Sequence, residues 1–127
     1  MNELKIFIAG PRAIKEIDEN VSMKLQNILE KEYDVLVGDA DGIDSSVQKL
    51  LNKQNYKKVT VYASKGIARN NYGDWKIKNV IVEGNLTGFD FYAQKDLEMA
   101  KDSDIGFMIW NGKSKGTFNN MINLLNL

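Results

Sequence analysis

Three glycine-bearing polar segments hold the residue types that can do chemistry in this chain. They are Gly10-Pro11-Arg12, Gly38-Asp39-Ala40-Asp41-Gly42-Ile43-Asp44 and Asn111-Gly112-Lys113-Ser114-Lys115-Gly116-Thr117. The last suits an oxyanion. Its glycines let backbone N–H groups point inward with no Cβ in the way, and the free N–H groups opening the next helix favour negative charge. Ser114 and Thr117 add hydroxyls, while Lys113 and Lys115 add positive charge. The same groups can also simply cap a helix, Thr117 first among them. The segment is not a Walker A motif, because its glycines and Lys-Ser lack the required spacing.

The middle segment carries three carboxylates, Asp39, Asp41 and Asp44. A carboxylate can take both hydroxyls of a ribose, and aspartates can hold Mg²⁺ against phosphate oxygens. An EF-hand is excluded because the glycine does not fall at its sixth position. An aspartate here can equally serve as a helix cap. Gly38 and Gly42 together favour close approach of a ligand over a plain turn. Arg12 can clamp a phosphate bidentately. It shares the chain with only one other arginine, Arg69, which opens Arg69-Asn70-Asn71-Tyr72-Gly73-Asp74-Trp75. That segment is a candidate lid through Arg69, Asn70 and Asn71. Its aromatics can stack on a base or sugar, or Trp75 can pin the loop to the core; the sequence supports both. Lys95, Asp96 and Glu98 read as a solvated helix face, and Asp102 and Asp104 fall at the opposite edge of the sheet.

These segments need elements to position them. An apolar run over 4–9 and a β-branched run over 35–37 read as buried strands, as does 59–63. A fourth strand is expected over 80–82 and a strongly apolar fifth over 105–110. Helical spacing of apolar residues predicts helices over 21–31, 43–52, 90–101 and 118–127. Asn20 is the expected N-cap of the first, and Asp41 or Asp44 that of the second. In the third, Tyr92, Leu97, Met99 and Ala100 are the packing positions. Residues 64–75 read as a loop. Strands alternating with helices imply an α/β fold: a Rossmann-like, open, mostly parallel five-stranded sheet with helices on both faces. The polar segments then share the edge where such sheets bind ligands.

The chain has 127 residues, 43% of them hydrophobic and 27% charged, with zero formal net charge and neither cysteine nor histidine. Its length fits a single domain over 1–127. Disulfides, thiol redox chemistry and Ser-His-Asp or Cys-His catalysis are excluded. The usual zinc, copper and non-haem iron sites lose their main ligands. Zero net charge disfavours broad attraction to nucleic acid or an anionic membrane. No signal-peptide pattern or membrane-length apolar run is present, so a cytoplasmic location is expected.

Taken in order, Ile-Ala-Gly-Pro-Arg, Val-Gly-Asp-Ala-Asp-Gly-Ile-Asp and Ser-Asp-Ile-Gly-Phe-Met-Ile-Trp-Asn-Gly-Lys-Ser-Lys-Gly-Thr resemble the SLOG superfamily over nearly the whole chain. Its members include the SMF/DprA DNA-processing domain, LOG-type phosphoribohydrolases and a branch of small single-domain proteins, which this chain resembles most. The resemblance implies a Rossmann-like fold and a nucleotide-derived ligand. LOG-type enzymes carry a catalytic glutamate three residues after Gly-Thr, where this chain has Asn120; an asparagine cannot supply a glutamate's acid, base or nucleophile. Their arginine–lysine pair in the preceding helix aligns with Lys95 and Asp96.

The expected function is therefore binding of a phosphate-bearing nucleotide or nucleoside derivative, as a sensor or ligand-binding protein, with Mg²⁺ as a companion of the ligand. An N-glycosidic-bond enzyme is the alternative. Nucleoside 2-deoxyribosyltransferases share the Ala-Gly-Pro opening and a Gly-Thr before the last helix, and the carboxylates available to such an enzyme are Glu83, Glu98 and Asp44. Single-stranded DNA binding is a second alternative. A bare sheet edge leaves room for a homo-oligomer.

Overall fold

Leu4 to Ala9 is too apolar and too β-branched to stay solvated, and it becomes an interior strand of the sheet. A computed structural model of the chain describes residues 4–10, 16–64, 67–81 and 88–109, with the backbone alone over 88–93. Its elements run β1 (Lys5–Ala9), α1 (Glu19–Glu30), β2 (Asp34–Gly38), α2 (Ile43–Lys53), β3 (Val59–Ala63), β4 (Lys76–Asn79), α3 (Gly88–Asp102) and β5 (Ile105–Met108). The sheet has five strands in the order β4-β3-β2-β1-β5, and every pairing is parallel. This is the expected open α/β, Rossmann-like fold. No helix among the described residues is long and apolar enough to cross a membrane.

Alternation along the strands sorts the core into two layers. Ile6, Ile8, Val35, Val37, Val59 and Val61 meet Leu25, Ile28 and Leu29 of α1 and Ile43, Val47 and Leu51 of α2. Phe7, Ala9, Leu36 and Tyr62 face the other way, toward Val80 and toward Met99 and Ala100 of α3. Each fully buried Leu, Ile or Phe contributes about 1.5–3 kcal/mol relative to exposure. The chain walks outward from β1 through β2 and β3 to β4, then α3 carries it back to β5 on the far side of β1. That reversal makes the C-terminal ends of β1 and β5 the topological switch point, the place where such sheets open a crevice.

Several local expectations give way. The fourth strand forms over Lys76–Asn79, not 80–82. It is an edge strand of mostly exposed residues, so no apolar run announces it; Val80 only extends the ladder, its N–H donating to Ala63 O at 2.7 Å. The N-cap of α1 is Asp18, whose carboxylate accepts from Val21 N, two residues before the expected Asn20. Neither Asp41 nor Asp44 caps α2. Gly42 occupies that position at φ 83°, a conformation open to glycine, and makes no side-chain cap. The third helix begins two residues earlier than expected and ends one later. Within it Met99 and Ala100 are buried and Leu97 is half-buried, and the Tyr92 side chain lies outside the description. The fifth strand ends at Met108 and its Ile105 is 45% exposed, consistent with a position at the sheet's edge. The helix expected over 118–127 lies outside the described residues.

Candidate functional site

β2 ends in Gly38, and Asp39 follows it at the C-terminal edge with 2% of its surface exposed. Both carboxylate oxygens are committed. Oδ1 accepts from Arg69 Nη2 at 2.9 Å and from Lys95 Nζ at 3.0 Å; Oδ2 accepts from the Arg69 backbone N–H at 2.9 Å and from Arg69 Nε at 3.3 Å. A carboxylate offers about four lone-pair positions, so Asp39 has none left for a ribose. Burial raises its pKa, but the Arg69 guanidinium, Lys95 and the Arg69 N–H outweigh that and hold it down to about 2.

Lys95 reaches this point from α3 on the opposite face and is 3% exposed. The expected solvated face is therefore wrong for Lys95. It stands one helical turn before the buried Met99, on the stripe that packs against the sheet. Asp44 approaches from the first turn of α2. Its Oδ2 accepts from Ala40 N at 3.3 Å. A Cβ added to Gly38 would fall 2.4 Å from that same oxygen and 3.0 Å from Lys95 Nζ, so the missing side chain leaves the room that both groups occupy. Burial, the largest influence, pushes Asp44 up to about 7; Asp96 and Asp39 add to it, while Lys95 and the Ala40 N–H oppose it.

The loop after β3 is fastened over this cluster. Asn70 Nδ2 donates to Asp39 O at 2.8 Å and to Asp41 Oδ1 at 3.1 Å. Gln48, fully buried on α2, donates from Nε2 to Gly38 O at 2.9 Å and to Asn70 O at 3.1 Å, and its Oε1 accepts from Tyr72 N at 3.1 Å. Asn71 closes the loop on itself. Its Nδ2 donates to Trp75 O and its Oδ1 accepts from Trp75 N, both at 3.0 Å. The candidate lid is thus docked, with Arg69 and Asn70 as its fastenings. Trp75 is buried in the core and donates from Nε1 to Tyr56 O at 2.9 Å, so it pins the loop and offers no stacking face. Tyr72 stays at the rim, 43% exposed, with its hydroxyl accepting from Ser45 Oγ at 3.0 Å.

Gly10 follows β1 beside this region. A Cβ there would lie 2.6 Å from Ile43 Cγ2, so close packing of α2 on β1 accounts for it. Asp41 is exposed on the rim. The three aspartates do not converge on a cation, and no metal-binding group of three or more acidic side chains occurs among the described residues. Glu98 pairs with Lys78 of β4 at 3.5 Å, directed toward the sheet's edge and not toward Asp39. Asp104 accepts from Lys5 N at 2.9 Å, at the N-terminal edge as expected. Pro11, Arg12, Glu83, Asn111, Gly112, Ser114, Gly116, Thr117 and Asn120 lie outside the described residues.

Sequence reasoning missed Gln48 and Lys95. The signal for both was a polar residue on an otherwise apolar helical stripe: Gln48 among Val47 and Leu51, Lys95 below Met99. Comparison with protein-family models, with curated proteins and with solved structures gives no match in any of the three.

Proposed function

We propose that the chain binds a phosphate-bearing nucleotide or nucleoside derivative at the C-terminal edge of its sheet, as a cytoplasmic ligand-binding or sensor protein of SLOG-like type. The observation that carries this reading is the buried Asp39–Lys95 ion pair, joined at the surface by the exposed Arg69, with Asp44 beside it. A fold gains little from such a cluster, since well-packed apolar groups commonly replace a buried ion pair without loss of stability. It stands next to the switch point, where open α/β sheets bind ligands. Arg12 and the segment 111–117 are the remaining donors of the same edge in this reading.

Thermal unfolding of the purified chain with nucleosides, nucleoside mono-, di- and triphosphates, cyclic nucleotides and ADP-ribose, each with and without Mg²⁺, tests it. A ligand at a hundred times its Kd adds about 2.7 kcal/mol and raises Tm by several degrees. The Arg12→Ala variant should lose that shift. No shift across the panel overturns the reading.

One observation favours a second reading, an N-glycosidic-bond enzyme. Asp44 is a buried carboxyl held near neutrality beside an ammonium group, a state suited to acid–base work at pH 7. Free base released from a nucleoside 5′-monophosphate by the wild type, and not by Asp44→Asn, would establish it.

A further inference from the structure

We propose that two copies of this chain pair face to face through α1 and α2, the acidic helix of each copy lying on the basic helix of the other. The inference concerns a different surface from the ligand site proposed above and stands independently of it.

Zero net charge conceals a segregation of charge. Residues 16–34, α1 with its flanks, hold six acidic residues and two lysines. Residues 45–60, most of α2 and the approach to β3, hold four lysines and no acidic residue. The first stretch is therefore as negative as the second is positive. A solvated surface ordinarily intersperses the two signs. Glu19, Glu30 and Glu32 are exposed on one side, and Lys49, Lys53 and Lys57 on the other. The ion pairs among the described residues lie elsewhere, on Asp39 and on Lys78, and none joins the two stretches.

The two helices present these charges outward. Leu25, Ile28 and Leu29 bury one side of α1, and helical spacing puts Glu19, Met23, Gln26 and Glu30 on a stripe along the opposite side. Met23 on that stripe is 61% exposed. Ile43, Val47 and Leu51 bury α2 and leave Lys49 and Lys53 one turn apart on its outside. Both helices cover the same face of the sheet, over adjacent strands. Each returns the chain from the C-terminal edge to the N-terminal edge, because the strands it joins are parallel, so the two run side by side in one direction. A twofold axis between them, parallel to both, lays α1 of one copy on α2 of the other, and the reverse contact forms at the same time. Glu30 and Glu32 then stand level with Lys53 and Lys57 of the second copy, since α1 and α2 both end at the N-terminal edge. Met23 supplies an apolar contact between the acidic ends of α1. This arrangement closes at two copies, and it keeps both C-terminal edges open at one end of the pair.

Sedimentation velocity of the purified chain tests this at about 0.01 M and about 1 M salt, where charges are screened over about 30 Å and about 3 Å. At low salt the mass should approach twice that of the monomer as concentration rises. The dissociation constant should rise by about tenfold or more at high salt. Two charge-reversed variants, Lys49→Glu/Lys53→Glu and Glu19→Lys/Glu30→Lys, should each sediment as monomers. All four side chains are exposed, so both variants should keep the fold, checked by circular dichroism. Mixed in equal amounts, the two variants should restore the dimer, because each helix contact again joins opposite charges. A monomer at low salt overturns the proposal, as does a mass that grows past the dimer. A dimer that both variants leave intact, or a mixture that stays monomeric, overturns it as well.

Discussion

Asp39 and Asp44 belong to one strand–helix junction, yet their ionisation is driven in opposite directions. Asp39 falls to about 2 because its two cations outweigh burial, while burial lifts Asp44 to about 7. The sign of each contribution follows from linkage. Asp39 is depressed in the folded chain, so its stabilisation is complete above the unfolded value of 3.8 and is lost as pH falls through about 2. Asp44 is raised, so its stabilisation is complete below 3.8 and is progressively lost as pH rises toward about 7, with no further change above. Urea unfolding should therefore show a decline in stability between pH 4 and 7 that Asp44→Asn flattens; an unchanged slope in the variant would assign the decline to other groups. Gly38 makes a second prediction. A methyl group there must displace the Asp44 carboxyl, at a cost of about 1–3 kcal/mol by the usual scale of overpacking, read as a lower urea midpoint for Gly38→Ala. The glycine–aspartate spacing was legible in the sequence as a candidate site. Which aspartate would be spent on cations and which left near neutrality was not, because that depends on Lys95 arriving from a helix fifty residues later, on the other face.

The loop after β3 owes its place to partners on two other elements. Asp39 at the end of β2 holds Arg69, and Gln48 of α2 holds Asn70 and Tyr72. Removing Asp39 leaves the Lys95 ammonium buried without its described partner, and breaking a buried pair from one side costs about 3–5 kcal/mol. Asp39→Ala should thus be strongly destabilised. Gln48→Ala, which strips three hydrogen bonds and leaves backbone groups unpaired, should loosen the loop more than the sheet. Limited proteolysis should then cut Gln48→Ala within 67–75 before it attacks the strands, and simultaneous cleavage of loop and core would contradict this division. The helices and the loop itself were readable from periodicity and from Gly and Asn content. The fourth strand was not, since Lys76-Ile77-Lys78-Asn79 is half-exposed and lacks a continuous apolar run. The α2 cap was misassigned because Asp44 gives its acceptor to Ala40, and Gly42 reaches the required turn through its backbone alone.

Across the whole molecule, stability must be highest at β1, β2 and β3, which are flanked on both sides, and lowest at the strands that end the described sheet. The alternation of strands and helices announced this layout, and the strand order supplied what alternation alone does not, the reversal at β1. Among the described strands β4 has one neighbour, β3, and its lysines suit an edge that must not pair with another chain. What ties it to the rest is a second polar cluster, on the α3 face, built on Tyr62 and Lys78, which lie in register with Gly38. Tyr62 donates to Asp102 Oδ2 at 2.6 Å, Lys78 meets the same oxygen at 2.5 Å, and Glu98 stands 3.5 Å from Lys78. The Lys78 ammonium also lies 5.5 Å from the centre of the Tyr62 ring. One carboxylate thereby joins β3, β4 and α3. Asp102→Ala removes it, leaving the Tyr62 hydroxyl without its acceptor at a cost of about 1–3 kcal/mol, while the Asp39 cluster keeps all its described bonds. Amide hydrogen exchange separates the two effects. In Asp102→Ala the β4 amides should exchange faster by an order of magnitude or more, about 1.4 kcal/mol per tenfold, with the β1 and β2 amides changing only as far as global stability falls. Equal acceleration in every strand would mean that the cluster serves the fold as a whole and that β4 does not open on its own.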